Sequence, residues 1–449
     1  MPIRSERSRK LKLTRRTVLG AAGGSMLAAG TASGEQPLSQ WSRLAGAQSS
    51  KATFVSAADF DLVGDGKTDD AASLQAAIDF AAEQGLRLVI PAGTYAVAKS
   101  IEIRSGSIVF ANGVTLVTFI PDLGNPGTSF PTVRVYDAEN VEIHGLEIEG
   151  RKDDFAHSQW KHGFAINNSR NVWLYQCRAN RCKGDGVILE NKNIGDVCID
   201  IHVEACSFGQ NYRMGGTASG ALRARFVNCV FWGTVGTKPM CGFDVEPDRP
   251  DVTCQDISFF GCDFSDNGIV GVNEGYGFNV SFQPGATGKQ SGVYLENCTF
   301  ARNSASGIDL YRVPKDVRLK DCQVVDNAQE GIRIVADASD IAIEGGKIAA
   351  NGYHGISCAT EPDAPCQRLV IDSVEIVDNG WSDAGAWNGI HLDNLVDDIS
   401  VSGCRITGSS GYGLYVAPTV ANLQSTANDF VDNARGSTFP AMGLEDPRG

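Results

Sequence analysis

The chain has 449 residues and a formal net charge of −14. This acidic balance argues against binding to nucleic acid or to an anionic membrane, because phosphate groups are bound by clustered lysines and arginines. Hydrophobic residues make up 42% of the chain and glycine occupies 51 positions. That composition provides a sizeable core and many tight backbone positions, and it excludes a largely disordered protein.

The first 32 residues predict a twin-arginine signal peptide. A basic stretch ends at Arg15-Arg16, an apolar run extends from Val18 to Ala29, and small residues continue to Ala32. The apolar run is too short, and too rich in glycine and alanine, to span the roughly 30 Å hydrocarbon core of a bilayer. We therefore expect a periplasmic or secreted protein without membrane association after cleavage, in which residues 33–52 form a linker.

Residues 53–100 predict an N-terminal cap. The motif GDGKTDD (64–70) precedes an amphipathic helix near residues 70–84, with Leu74, Ile78 and Ala81 facing inward, and LVIPAGTY (88–95) follows. A solenoid exposes unpaired strand edges at its open end, so a covering helix is expected there.

From residue 141 a pattern of three alternating apolar positions, a polar pair and a small apolar residue recurs. Copies include VEIHGLEI from Val141, IHVEACSF from Ile201, VYLENCTF from Val293 and ISVSGCRI from Ile399. Period-2 alternation indicates strands, and a repeat of 23 to 36 residues indicates stacked units. The sixth position of the copies forms an inward ladder: Leu146, Cys177, Cys206, Cys229, Cys262, Cys298, Cys322, Gly346, Val374 and Cys404. The pattern predicts an all-β parallel solenoid over residues 101–435, followed by a C-terminal tail (436–449).

A second strand in each coil begins with glycine, as in CGFDV from Cys241 and SGIDL from Ser306. Residues two places after the glycine share one face, and we assign that face to the outside. The predicted outer row is Ala165, Ile188, Thr217, Asp244, Asn273, Asp309, Arg333, Ser357, His391 and Tyr415.

All 13 cysteines follow residue 176, and seven of them occupy the ladder. Buried ladder cysteines are expected to pack as small apolar residues. For Cys358 and Cys366, the sequence favours neither a disulfide nor two free thiols over the other. No C-x-x-C pair occurs and the six histidines lack ligand spacing, so no zinc site is predicted. Asp-Asn pairs such as Asp266-Asn267 fit turns. We predict no cofactor; calcium is possible but not indicated.

The N-terminal motif and the coils resemble the pectate-lyase-like superfamily of right-handed parallel β-helices, over roughly residues 54–435. KGDGVILE (183–190), NYRMGG (211–216) and CGFDVEPD (241–248) are similar to three coils that occur together in many of its uncharacterised members. The resemblance implies a right-handed single-stranded helix and a shared site of Asp185, Arg213, Asp244 and Glu246. The paired-aspartate and G-H-G motifs of polygalacturonases are not reproduced here in their order along the chain. The segment HGFAINN (162–168) lacks the tyrosine, aspartate and histidine of the mannuronate epimerase segment Y-G-F-D-P-H-E.

The middle of the outer row predicts the chemistry. Paired carboxyl groups can divide the roles of proton donor and base in glycoside cleavage. We expect Asp244 to act with Glu246 or Asp309, and Asp185 is a further candidate. The predicted substrate-binding residues are Arg213, Arg312, Arg333, His162 and Glu190, of which Glu190 lies two coils before Glu246 in a parallel row.

Three functions remain open at this point. The first is hydrolysis of a polysaccharide or oligosaccharide by paired carboxyl groups. The second is a lyase acting on a uronate-containing glycan, in which an arginine or His162 assists proton abstraction. The third is a non-catalytic carbohydrate-binding solenoid that uses tryptophans predicted in loops, namely Trp160, Trp232, Trp381 and Trp387.

Overall fold

The computed structural model describes residues 53–118, 130–155, 159–335, 337–358, 365–382, 385–393 and 396–440. The predicted signal peptide (1–32) and the linker (33–52) lie outside these residues, as do residues 441–449 of the tail. Within the described ranges, no helix is long and apolar enough to cross a bilayer.

Most coils of the solenoid contribute three strands, and each strand pairs in parallel with its counterpart in the next coil. Val187–Glu190, Cys198–Glu204 and Ser207–Gly209 form one such coil. Their partners in the following coil are Gly216–Ala218, Ala221–Val227 and Val230–Trp232. The strands stack into three sheets, so the predicted all-β, right-handed parallel β-helix is confirmed.

The first sheet, called here the groove sheet, carries the outer row. Its 13 strands are Ile101–Glu102, Val133–Tyr136, Phe164–Asn167, Val187–Glu190, Gly216–Ala218, Phe243–Val245, Phe278–Val280, Ile308–Leu310, Ile332–Ile334, Ile356–Cys358, Ile390–Leu392, Tyr412–Val416 and Gly436–Phe439.

The second sheet is the long-strand sheet, with 19 strands. They are Phe54–Ser56, Asp65–Asp69, Arg87–Val89, Gly93–Val97, Ile108–Thr118, Glu139–Glu149, Arg170–Tyr175, Arg178–Asn180, Cys198–Glu204, Ser207–Gly209, Ala221–Val227, Val230–Trp232, Cys254–Phe260, Gln290–Glu296, Lys315–Lys320, Ser339–Glu344, Cys366–Asp372, Val396–Ser402 and Ala421–Thr426. Parallel pairing therefore begins at Phe54, where this strand pairs with Arg87–Val89.

The third sheet has six short strands. They are Thr299–Ala301, Gln323–Val325, Lys347–Ala349, Glu375–Val377, Arg405–Thr407 and Asp429–Val431. A single bridge at Asp263 continues this stack back to Val230 in the long-strand sheet.

The N-terminal helix spans Ala71–Gln84 and buries Leu74, Ile78 and Ala81, as the sequence predicts. The Asp70 carboxylate accepts hydrogen bonds from the backbone N–H groups of Val63 (2.7 Å) and Gly64 (3.1 Å), which fixes the turn before the helix. The helix ends at Gly85, whose left-handed φ of 63° suits a residue without a Cβ atom.

The ladder cysteines are buried in the core, as predicted. The Cys206 thiol donates to the Leu174 carbonyl of the preceding coil (3.5 Å), and the Cys229 thiol donates in the same way to Val203 (3.4 Å). This repeated contact gives the sulfur a weak polar partner in an otherwise apolar position. Cys358 and Cys366 are both present as buried free thiols.

A second internal ladder of asparagines runs through the turns before the groove strands. Asn303 donates to the Asn327 side-chain oxygen (2.9 Å), and Asn327 donates to that of Asn351 (2.9 Å). The aspartates before them take the left-handed backbone conformation, with a φ of 62° at Asp266 and 58° at Asp326. These Asp-Asn pairs are therefore turn elements.

Candidate active site

The middle residue of each three-residue groove strand points outward, and stacking of the coils places these residues in a row about 4.8 Å apart. The row passes in register through Thr217, Asp244, Asn279, Asp309 and Arg333. The prediction of Asn273 in this row was wrong. Asn273 belongs to an exposed loop, where its side chain accepts from the Ile269 N–H (2.8 Å), and the strand begins after a later glycine, Gly277.

The outer row is not open to solvent at its middle. Asp244 is 0% exposed and Asp309 is 3% exposed, whereas Glu246 is half-buried. The chain segments 233–242 and 266–277 precede groove strands, and segment 311–314 follows one. Because residues of these segments line the same pocket as Asp244, the row forms the floor of a groove with two walls.

A pocket of about 450 Å³ lies over this floor. Its carboxyl groups belong to Asp244, Glu246, Glu274 and Asp309, and its cations to Lys238, Arg312 and Arg333. Pro239, Tyr276, Asn279, Ser281 and Tyr311 complete the lining. Five residues predicted from the sequence therefore meet in one pocket: Asp244, Glu246, Asp309, Arg312 and Arg333.

Asp244 and Glu246 form a carboxyl pair. Burial, and next the charge of Glu246, raise the pKa of Asp244 well above its ordinary value. Asn279 donates its amide N–H to Oδ1 of Asp244 (2.7 Å). The other oxygen, Oδ2, is buried and accepts no hydrogen bond from a described donor, and a hydrogen bond between the Asp244 and Glu246 side chains raises the pKa of Asp244 further. The pair therefore retains one proton at a pH at which an exposed aspartate is ionised.

Asp309 lies beside a positive charge, whereas Asp244 lies beside another carboxyl group. The guanidinium of Arg333 donates to both of its oxygens, at 2.9 Å and 2.8 Å. Burial raises the pKa of Asp309 and Arg333 opposes that rise. A bidentate ion pair of this kind fits an ionised carboxylate held in one orientation.

Arg213 connects the pocket with a second cluster. Its guanidinium lies 3.5 Å from Asp185 and 5.3 Å from the Trp160 ring. Burial lowers the pKa of Arg213, but the carboxyl groups of Asp185, Asp244, Glu246 and Asp248 outweigh burial, so the pKa is raised. The implied grouping of Asp185, Arg213, Asp244 and Glu246 thus appears in space around one cation.

Asp185 is fully buried within this cluster. It accepts from the Thr217 hydroxyl (3.0 Å), and His162 Nδ1 lies 3.4 Å from the same oxygen. Burial raises the pKa of Asp185, but Arg213, His162 and Thr217 outweigh it and the net shift is downward. His162 Nδ1 also lies 3.0 Å from the backbone N–H of Asp185, which donates to it. Asp185 is an ionised partner of Arg213.

Glu190 lies outside the pocket. It accepts from the Tyr136 hydroxyl and lies 3.3 Å from Lys192. The Tyr136 ring has the Arg134 guanidinium 4.1 Å and the Lys192 ammonium 4.2 Å from its centroid. The register confirms that Glu190 and Glu246 share a row two coils apart.

Arg312 has a different setting from the other pocket cations. Lys238 pairs with Glu274 (3.2 Å) and Arg333 pairs with Asp309, whereas Arg312 has no carboxylate partner among the described residues. Its guanidinium lies 5.7 Å from the Tyr311 ring. Arg312 and Val313 both have left-handed φ angles, 45° and 51°. Such angles are unfavourable for residues other than glycine, above all for a β-branched one.

The sequence did not single out Asn279, Lys238 or Tyr276. YGFNV from Tyr276 has the same glycine-initiated pattern as the other groove strands and would have revealed Asn279. Lys238 and Tyr276 belong to loops of variable length, which the repeat does not predict. Trp160 (54% exposed) and Trp381 (57% exposed) are surface residues, whereas Trp232 ends a strand rather than lying in a loop.

No cluster of three or more His, Cys, Asp or Glu residues suited to a metal ion occurs in the described ranges. The pocket carboxyl groups are used in ion pairs, in the protonated pair and in the hydrogen bond from Asn279.

Comparison with known families agrees with the fold. Residues 254–430 match the family described as right-handed β-helix region, and residues 54–123 match the family described as rhamnogalacturonase A/epimerase, pectate lyase-like. The two matches cover separate parts of the chain, and both support the pectate-lyase-like superfamily of right-handed parallel β-helix proteins.

Individual relatives are distant. The uncharacterized protein YclG of Bacillus subtilis is 22% identical over 220 residues, which cover 43% of this chain and 38% of YclG. The A-module of the Azotobacter vinelandii mannuronan C-5 epimerase AlgE4 superposes with a TM-score of 0.61 at 19% identity, covering 86% of this chain and 97% of that chain. PfbA, a surface adhesin of Streptococcus pneumoniae, gives 0.52 at 14% identity, with 86% and 93% covered. At these identities the likeness concerns the fold.

Proposed function

We propose that this protein is an exported carbohydrate-active enzyme that cleaves glycosidic bonds by acid and base catalysis in the groove. The observation that carries the proposal is the pair of contrasting carboxyl environments in one pocket: a proton-holding Asp244–Glu246 pair and an arginine-bound Asp309. Carboxyl groups whose surroundings separate their protonation states are suited to the roles of acid and base. The polysaccharide-acting neighbour of the same fold supports a glycan as substrate.

Each group has a distinct role in this proposal. Glu246 is the carboxyl of the pair that is not fully buried, so it contacts the glycosidic oxygen and delivers the proton. Asp244, buried beside it, shares that proton with Glu246 before it is delivered, and after each turnover Asp309 releases its proton to solvent while the pair takes up a new one from solvent. Asp309, kept ionised and oriented by Arg333, takes a proton from the attacking water.

The spacing of the groups favours inversion at the anomeric carbon. Asp244 and Asp309 are two coils apart, with Asn279 between them, which corresponds to about 9.6 Å between their backbones. Inverting glycosidases separate their carboxyl groups by roughly 6.5–9.5 Å to accommodate the water.

Arg312 favours a second candidate function, cleavage of a uronate-containing glycan by a lyase. A cation without a carboxylate partner among the described residues is suited to neutralising a substrate carboxylate while the neighbouring C–H proton is removed. In this case Glu246 is the base and the product is unsaturated.

The test is a screen of the purified mature protein against acidic and neutral polysaccharides. Hydrolysis produces new reducing ends without the ultraviolet absorbance of an unsaturated sugar, and a lyase produces both. On the substrate so found, Asp244→Asn and Glu246→Gln should each lower kcat about a hundredfold or more, because each removes a group of the proton-transfer pair. Near-full turnover by both variants would overturn the proposed site.

Cys262→Ala is the control. Cys262 lies on the inner ladder and faces away from the groove. We expect this variant to be less stable but to keep its turnover per folded molecule. A loss of turnover equal to that of Asp244→Asn would indicate that the pocket variants act through folding.

A further inference from the structure

We infer that Asn279 is a positioning residue that fixes the shared proton of the carboxyl pair on Oδ2 of Asp244. The inference deepens the proposed function, since it assigns a role to a residue between the proposed acid and base. Its test below requires no substrate.

The two oxygens of Asp244 have different surroundings. Oδ1 accepts the Asn279 amide N–H at 2.7 Å, and that contact is itself buried. An oxygen that accepts a short hydrogen bond from an amide acts as the carbonyl oxygen of a protonated carboxyl group. The proton then resides on Oδ2, which is buried and accepts no hydrogen bond from a described donor, and from there it is shared with the side chain of Glu246.

The register of the coils leaves Asn279 little freedom. It lies on the floor of the groove at 8% exposure, directly between Asp244 and Asp309 on adjacent strands. Arg333 uses both oxygens of Asp309, so Asp309 does not compete for the pair's proton. The Asn279 amide is therefore the hydrogen-bond donor available to orient Asp244.

The charged and titratable groups around Asp244 come from several segments of the chain. They are Glu246 two residues along the chain, Arg213 and Cys241 from preceding segments, Asp309 with Arg333 two and three coils further on, and Asp185 through Thr217. Glu246 disfavours ionisation of Asp244, and Arg213 favours it. Asn279 adds a fixed dipole that favours a particular oxygen, which no point charge in this set does.

Infrared titration of the purified protein tests the inference. In the wild type we expect the C=O stretch of a protonated carboxyl group to persist at neutral pH, and Asp244→Asn should abolish it. Asn279→Leu keeps the volume but removes the amide. Because Oδ1 then loses its hydrogen bond, the C=O stretch should move to higher frequency.

The titration midpoint of that band should also move upward, by about one pH unit, because a hydrogen bond to the charged form is lost. Asn279→Ser is too short to reach Asp244 and should behave in the same way if the leucine variant folds poorly. Ser357→Ala, in the same outer row three coils from Asn279, is the matched control and should leave the band unchanged.

Two results overturn the inference. The first is a band that keeps its frequency and midpoint in folded Asn279 variants, which makes Asn279 a packing residue only. The second is a band that moves equally in Ser357→Ala. Neither result concerns cleavage: loss of turnover in Asp244→Asn together with an unmoved band would retain the proposed function and reject the role of Asn279.

Discussion

A carboxylate that is buried away from water is stabilised either by a nearby positive charge or by taking up a proton. The groove contains one aspartate of each kind. Asp309 is paired with Arg333, while Asp244 keeps a proton because it is fully buried and because its carboxyl neighbour, Glu246, repels a second negative charge. Asn279 lies between them. The difference between the two aspartates therefore comes from their neighbours: Arg333 in the adjacent coil for Asp309, and Glu246 two residues along the chain for Asp244.

The ion pair of Asp309 makes a prediction for stability. Arg333→Met removes the cation and leaves a buried carboxylate, so the pKa of Asp309 should rise further above that of the unfolded chain. The folded state then binds more protons than the unfolded state between those two pKa values, and stability falls as the pH rises. We expect a loss of about 3 kcal/mol at about pH 8 and a smaller loss at about pH 4, measured by urea denaturation.

Arg302→Met is the matched control. Arg302 also donates to both oxygens of an aspartate one coil away, Asp266, at 2.8 Å and 2.7 Å, but both side chains are half exposed. An exposed pair contributes at most about 1 kcal/mol. A loss in Arg302→Met as large and as pH-dependent as that in Arg333→Met would show that burial is not the cause.

At the scale of the secondary-structure element, each turn of the solenoid is held in place by contacts between equivalent residues of adjacent coils, in addition to its own sequence. Thiols at the end of the long strands contact the carbonyl groups of the preceding coil, and asparagines before the groove strands bond to the next asparagine. The groove strands themselves have only three to five residues in most coils. Their position, and with it the geometry of the pocket, depends on these ladders.

The two ladders should differ in their contribution to stability. The Asn327 side-chain oxygen accepts from both the backbone N–H (3.1 Å) and the amide (2.9 Å) of Asn303. Asn327→Ala leaves these buried donors unpaired and should cost at least about 2 kcal/mol. Cys262→Ala removes one sulfur with a weak hydrogen bond of 3.6 Å and should cost about 1 kcal/mol. Urea midpoints measure both, and a larger loss for Cys262→Ala would contradict this ranking.

At the scale of the whole molecule, the loops on the groove side of a solenoid can vary while the stacked strands of the other sheets stay the same. The long strands keep their register over the coils, and the segments flanking the groove strands vary in length and supply Lys238, Tyr276 and Arg312 to the pocket. Insertions in these segments do not disturb the stacked core. Substrate contacts in the groove can therefore vary without a change of fold.

Export is a prediction at the same scale. It depends on Arg15-Arg16 before the apolar run, and replacing both with lysine should retain the precursor in the cytoplasm, because the route reads the arginine pair. Fractionation and immunoblotting of the periplasm and medium measure the outcome. A variant with the arginines intact and Lys10 replaced by glutamine is the control, and equal export of all forms would indicate another route.

The sequence by itself determined the fold, because the repeat places apolar residues at the same alternating, inward-facing positions in every coil. It predicted the cysteine ladder, the N-terminal helix and the positions of Asp244, Glu246, Asp309 and Arg333 on the groove sheet. It did not place Asn279 on the groove sheet. Four glycines precede that strand, and the one used to align the row, Gly271, lies in a loop before it.

Only the tertiary structure decided which carboxyl groups pair, which are protonated and which is accessible. Those properties depend on residues 24 to 36 positions apart, brought into contact by stacking, as in the bonds from Arg333 to Asp309 and from Asn279 to Asp244. They depend equally on loops that cover a face the strand pattern marks as outward. Alternation along a strand specifies the direction of a side chain, whereas its burial and charge state are set by what packs over it.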